Sequence, residues 1–174
     1  MTVHVALIRA LNVGGTAKMP MTMLKAIATD IGLKDVTTYI QSGNLVFRDR
    51  GKPDEIAAML STALGLVLGS PPEVFIRSTQ ELESIIADNP FDRYEPSKVL
   101  VSFFPRRLPD NALDGASAPD GEETVLHGRE IYVHFPGGSG TSRLKLPVLK
   151  RGTARNINTI AKLAEMARTL EDHA

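Results

Sequence analysis

Three short stretches of the chain combine residue types suited to holding an anion. Leu11-Asn12-Val13-Gly14-Gly15-Thr16-Ala17-Lys18 follows an apolar run that ends at Arg9. Its glycines let backbone N–H groups converge on a negative group, and Lys18 would add a point charge. Gln41-Ser42-Gly43-Asn44 gathers two amides and a hydroxyl around a glycine, able to rim a pocket beside Asn12 if strand ends cluster. Gly152-Thr153-Ala154-Arg155-Asn156-Ile157-Asn158-Thr159 leads into an amphipathic stretch. There Thr153 reads as an N-cap, and Asn156, Asn158 and Thr159 stand near free N–H donors. Arg155 can present a planar fork to a phosphate or carboxylate. Each stretch also has a plainer reading: a βα turn needing unusual φ, a hairpin turn, and a capped helix whose amides tie down nearby loops.

The charges are distributed in the same sense. Residues 131–164 contain no acid but hold Arg143, Lys145, Lys150, Arg151, Arg155 and Lys162; residues 1–29 contain no acid but hold Arg9, Lys18 and Lys25. Acids collect instead between 108 and 130, as Asp110, Asp114, Asp120, Glu122, Glu123 and Glu130. Basic segments that meet in space make an anion-binding face; ones balanced by their neighbours make a solvated surface.

Other chemistries fit poorly. The glycine loop has neither the G-x-x-x-x-G-K-[ST] nor the G-x-G-x-x-G spacing. Ser139 lacks the glycine that a G-x-S-x-G elbow needs at position 141, which is Thr. His127 and His134 share one hairpin without a third ligand, so exposed strand histidines are the reading and no metal site is expected. No cofactor motif is present. Arg, Asn and Gln bind and polarise but transfer protons poorly, so no catalytic constellation is assigned.

The elements that must position these residues can be read from periodicity. Val3 to Ile8 is a buried strand; Leu24, Ile27, Ala28 and Ile31 mark a helix, with Pro20 suited to its first turn and Gly32 as a left-handed cap. Val36 to Gln41 and Leu45 to Arg48 form a hairpin around Ser42-Gly43-Asn44. A helix then buries Ile56, Met59, Leu60, Ala63 and Leu64, and Val74 to Ile76 is the fourth strand. The order β-α-β-β-α-β is that of ferredoxin-like domains. Ser78 and Glu81 suggest a capping box opening a third helix. Beyond it come a strand at Val99 to Phe104, a helical pattern at Leu108, Ala112 and Leu113, and a hairpin at Thr124 to His127 and Ile131 to Phe135. A last helix carries Ile160, Leu163, Ala164, Ala167 and Leu170. The expected fold class is α+β, two fused ferredoxin-like halves with antiparallel sheets. Residues 1–78 form one half. Residues 79–174 form a second, related half with a linker helix and a C-terminal helix, the two making one compact unit.

Composition suits this. The 174 residues are 43% hydrophobic and 23% charged, and 20 Lys and Arg balance 20 Asp and Glu, which argues against a uniformly basic nucleic-acid coat. Cysteine and Trp are absent, which excludes disulfides, thiolate metal sites and a cysteine nucleophile. No apolar run nears the roughly 18 residues of a membrane span, and the N-terminus lacks the basic head and cleavage site of a signal peptide. A soluble cytoplasmic protein is expected.

In combination, Ala6-Leu7-Ile8-Arg9-Ala10-Leu11-Asn12-Val13-Gly14-Gly15, Tyr39-Ile40-Gln41-Ser42-Gly43-Asn44-Leu45-Val46-Phe47 and Thr153-Ala154-Arg155-Asn156-Ile157-Asn158-Thr159 resemble the bacterial domain-of-unknown-function family 1697 (DUF1697). The family commonly carries an aromatic residue where this chain has Ile157. The resemblance implies a soluble bacterial α+β protein and no established activity. Its motif residues give Arg9, Asn12, Gly14, Gly15, Gln41, Ser42, Gly43, Asn44, Arg155, Asn156 and Thr159 as the candidate site. The expected function is binding of a phosphate-bearing ligand, nucleotide or nucleic acid. Arg9 and Arg155 would pair with phosphate oxygens, backbone N–H groups of Gly14-Gly15 and of the final helix would donate, and Asn12, Gln41, Asn44 and Asn156 would orient the ligand. Two other readings stand beside it: an enzyme on a small phosphorylated or carboxylated substrate, and a structural or oligomerising protein whose polar motifs lock its halves together.

Overall fold

The computed structural model describes residues 1–12 and 19–173. Its elements run β1 (Thr2–Ile8), α1 (Met21–Asp30), β2 (Lys34–Thr38), β3 (Asn44–Asp49), α2 (Pro53–Leu68), β4 (Val74–Ser78), α3 (Thr79–Ala87), β5 (Val99–Phe103), β6 (Glu123–His127), β7 (Glu130–His134), β8 (Thr153–Asn156) and α4 (Ile157–Asp172). Short 3-10 turns fall at Pro96–Lys98, Ser139–Thr141 and Pro147–Arg151. The chain divides into two compact units, Met1–Glu83 with Lys162–Ala174 and Ser84–Ala161.

In unit 1 the strands form an antiparallel sheet in the order β2-β3-β1-β4, the arrangement that a β-α-β-β-α-β chain adopts in ferredoxin-like domains. β1 is an inner strand, paired on both edges with Leu7 opposite Asn44 and Phe75 and Val5 opposite Val46 and Arg77, and all its residues from Val3 to Ile8 are buried. Ala6, Ile8, Leu45, Phe47 and Ile76 face a core completed by Leu24 and Ala28 of α1 and Ile56, Leu60 and Leu64 of α2. Gly32, at φ 103°, ends α1 and lets Leu33 donate back to the Ala28 carbonyl (3.1 Å), as its sequence suggests. Pro20 stands at the N-cap of α1 rather than inside its first turn. The Ser78–Glu81 capping box forms in both directions, each bond 3.0 Å. Arg168 of α4 ion-pairs with Glu83 and with Glu171, the latter at 2.9 Å.

Unit 2 has the antiparallel order β6-β7-β5-β8. Ile131, Val133 and Phe135 share a core with Phe104, Leu146 and Val148. Tyr132 is fully buried and donates its hydroxyl to the Ile85 carbonyl (2.6 Å); burial raises its pKa. Three local expectations are corrected here. Leu108 to Leu113 is no helix: the stretch closes only tight turns, Ala112 N–H to the Pro109 carbonyl (2.9 Å) and Asp114 N–H to the Asn111 carbonyl (3.0 Å), before Gly115 turns the chain at φ 76°. Thr153 is no cap but the first residue of β8, which pairs with β5 as Phe103 opposite Thr153 and Val101 opposite Arg155. His134 is buried rather than exposed, its ring stacked on Tyr94 with centroids 3.6 Å apart; His127 is exposed and lies 3.3 Å from Asp88.

The architecture is therefore α+β, with two four-stranded antiparallel sheets and four α-helices among the described residues. No helix among them is long and apolar enough to cross a membrane.

Candidate functional site

The end of β1, the β2–β3 turn and the start of β4 lie at one end of the unit 1 sheet, because antiparallel pairing sets Leu7 against Asn44 and Ile8 against Val74. Ile8 N–H donates to the Gly43 carbonyl at 2.9 Å and Arg9 N–H to the Glu73 carbonyl at 3.0 Å. Gly43, at φ 85°, sits so close that a Cβ there would lie 3.1 Å from the Leu11 Cβ and 3.2 Å from the Ile8 Cβ. Close approach as well as backbone conformation demands glycine here. Ala10, Asn12 and Ile40 also hold positive φ, at 57°, 60° and 48°. Asn tolerates that region; for β-branched Ile40 it is a strained turn residue.

Asn12 joins the two motifs of this end. Its Nδ2 donates to the Gln41 carbonyl (2.9 Å) and the Met19 carbonyl (3.0 Å), while its Oδ1 accepts from Met19 N–H (2.5 Å). Asn44, fully buried, donates from Nδ2 to the Tyr39 carbonyl (3.0 Å) and to Ser42 Oγ (2.9 Å). Both amides do the work of missing backbone pairs in tight loops. Arg9, Asn12, Gln41, Ser42, Gly43 and Asn44 are thus brought together. Gly14, Gly15 and the neighbouring Lys18 lie outside the described residues.

Beside this cluster a cleft of about 330 Å³ is lined by Arg9, Ala10, Leu11, Leu68, Ser70 and the Pro71-Pro72-Glu73 run. It offers one guanidinium, one hydroxyl and one carboxylate over an apolar floor, within the size range of small-ligand sites. Ser70 and Glu73 escape a sequence reading because neither belongs to a motif. The register of β4 on β1 brings Glu73 to Arg9.

Arg155, Asn156 and Thr159 form a separate group in unit 2. Asn156 supplies the cap of α4 that the sequence suggests at Thr153: Thr159 N–H donates to its Oδ1 at 2.8 Å. Arg155 is 8% exposed, and its guanidinium donates to Thr153 Oγ1 (2.8 Å) and the Ala154 carbonyl (2.9 Å). Desolvation lowers its pKa to about 10. Among the described residues no group of three or more His, Asp or Glu is placed to hold a metal ion.

The fold and these turns define a class of α+β protein. The chain belongs to the family described as "Protein of unknown function (DUF1697)", whose profile matches residues 1–132, a span that includes the Arg9 and Gln41 motifs and ends before Arg155. The structure is similar to that of the conserved bacterial protein SP0830 from Streptococcus pneumoniae. The TM-score is 0.76 at 22% identity, with 95% of this chain and 98% of that one covered, a likeness of fold. No curated protein matches significantly.

Proposed function

We propose that the chain acts in the bacterial cytoplasm as a binding module for a small phosphate-bearing ligand of the nucleotide class, taken up in the Arg9 cleft. The observation that carries this reading is the meeting, at one sheet end, of Arg9, a ligand-sized cleft and the Gln41–Asn44 turn. Arg9 supplies the bidentate fork for phosphate oxygens, Ser70 a neutral donor, and Leu11 and Leu68 an apolar wall for the rest of the molecule. Asn12 and Asn44 act as loop braces in this scheme rather than as ligand contacts. Glu73 sets a preference for ligands that also carry a donor.

A second reading has its own support: Asn12, Asn44, Arg155 and Asn156 all spend side-chain hydrogen bonds on protein groups, as residues that hold a fold together do.

The deciding experiment is a thermal-shift panel of nucleotides, sugar phosphates and sulfate on wild type and Arg9→Ala. A ligand at about 100 times its Kd stabilises wild type by about 2.7 kcal/mol. Loss of a charged hydrogen bond lowers its affinity for Arg9→Ala by about 1.5–3 kcal/mol. A flat wild-type panel, or a shift that Arg9→Ala retains in full, overturns the assignment in favour of the structural reading.

A further inference from the structure

Unit 2 carries its own cationic feature at the corresponding end of its sheet. Phe104 N–H donates to the Arg129 carbonyl (3.0 Å), Leu108 N–H to the Gly128 carbonyl (3.1 Å), and Arg129 Nη1 reaches the Pro105 carbonyl (3.5 Å). Gly152 presses on the same place, where a Cβ would meet the Phe103 carbonyl oxygen at 2.7 Å. These contacts hold residues 104–108, the 128–129 turn and residue 152 side by side. Arg106, Arg107, Arg129 and Arg151 stand in or next to them.

Arg106, Arg107 and Arg151 are exposed and carry no ion pair among the described residues. Several exposed cations elsewhere are matched, Arg143 to Asp120 at 2.6 Å, Lys162 to Glu165 at 3.2 Å and Lys98 to Glu95 at 3.8 Å, while other unmatched ones such as Lys25, Arg50 and Lys52 belong to unit 1. Nearby carboxylates do not cancel the group. Glu130 is buried and lies 4.0 Å from Arg129, Asp88 faces His127, and Asp110 follows on the next turn.

We propose that this arginine-crowned end of the unit 2 sheet binds the phosphodiester backbone of nucleic acid, independently of the Arg9 cleft. Guanidinium forks match phosphate geometry, and cations set close in the chain fold, here Arg106, Arg107 and Arg151, gain most from a polymer that releases condensed counterions. The rings in these segments, Phe103 and Phe104, are buried, so bases have nothing to stack on and sequence preference is weak. The same segments expose no large apolar side chain for entry into a bilayer, which favours nucleic acid over a lipid surface.

The test is fluorescence anisotropy with a labelled single-stranded RNA and a DNA duplex, across a salt series, on wild type, Arg9→Ala and the triple variant Arg106→Ala/Arg107→Ala/Arg151→Ala. Circular dichroism confirms that each is folded. Wild type and Arg9→Ala bind alike. The triple variant binds at least about tenfold more weakly, and its log–log salt slope is shallower by about 3, one per removed phosphate contact. Absent binding by wild type, an unchanged slope in the triple variant, or equal affinity for anionic phosphatidylglycerol vesicles overturns the proposal. Loss of binding in Arg9→Ala alone moves the nucleic-acid site to unit 1 and overturns it as well.

Discussion

The two units repeat one another strand for strand, and the repetition reaches single residues. Val5 of β1 faces Val46 and Arg77; Val101 of β5 faces Tyr132 and Arg155. Ile8 takes the Gly43 carbonyl where Phe104 takes that of Arg129. Arg77 and Arg155 are both buried and each donates to the carbonyl of the residue before it, at 3.0 and 2.9 Å. Each is followed at once by a cap, Ser78 for α3 and Asn156 for α4. What does not repeat is the layer above the sheet. Unit 1 covers its Phe47 face with α1 and α2, whereas unit 2 covers its Val133 face with turns and short 3-10 segments, leaving Leu100, Leu126, Leu144 and Leu149 only half-buried. Strand register and the βα junction depend on backbone pairing and one capping side chain. A helical layer needs long connections with a 3.6-residue apolar period, and that part can diverge without disturbing the sheet.

The sharpest way to break the comparison is at the paired arginines. Arg77→Ala and Arg155→Ala each leave buried acceptors without a donor, and each should lower unfolding free energy by about 2–4 kcal/mol in urea titrations. A near-zero cost for one would show that the repeated geometry carries unequal energetic weight.

The caps sharpen it at a lower level. Ser78→Ala and Asn156→Ala should each cost about 1 kcal/mol; alanine at 78 keeps the backbone N–H that donates to Glu81 Oε1, so Glu81→Ala is the variant that removes the reciprocal bond. A cost near zero for Glu81→Ala would mean that the reciprocal bond adds nothing.

The smallest effect concerns a group unit 2 does not repeat: His4 of β1 stands at the register position that Leu100 holds in β5. Burial lowers the His4 pKa below 6.5, and its Nε2 has no hydrogen-bond partner among the described residues. The unfolded chain then binds more protons than the folded one just below pH 6.5, so stability falls as pH drops through that window, by at most about 1.4 kcal/mol per pH unit. His4→Leu should flatten the decline seen in urea midpoints between pH 7 and 5; an unchanged slope would assign it to other groups.

Much of this fold was legible because it rests on short-range rules. The alternation of Val3 to Ile8, the Gly32 cap, the Ser78–Glu81 box and the hairpin around Gly128 all depend on neighbours within a few residues, and all appear as read. β8 was hidden because Thr153 to Asn156 has only four residues and a strand-neutral composition. Its identity comes from pairing with β5, some fifty positions earlier. The cap shifted from Thr153 to Asn156 for the same reason. In the candidate site, the union of Asn12 with Gln41 was foreseeable only as a condition on strand ends, and the Arg9–Ser70–Glu73 cleft requires the β4 register. The burial of Arg155 is likewise a property of the sheet, since nothing in its neighbours distinguishes a desolvated arginine from an exposed one.

The division of the chain has a consequence for synthesis. Residues 162–173, which supply Arg168 to Glu83 and the Leu170 carbonyl to Arg48, belong to unit 1 but leave the ribosome after all of unit 2. The unit that is begun first therefore receives its last residues after the other is complete. Unit 2 is synthesised whole while unit 1 still lacks the larger part of α4. A translation arrest before residue 162 would strand unit 1 without the ion pair and the carbonyl that residues 162–173 bring to it.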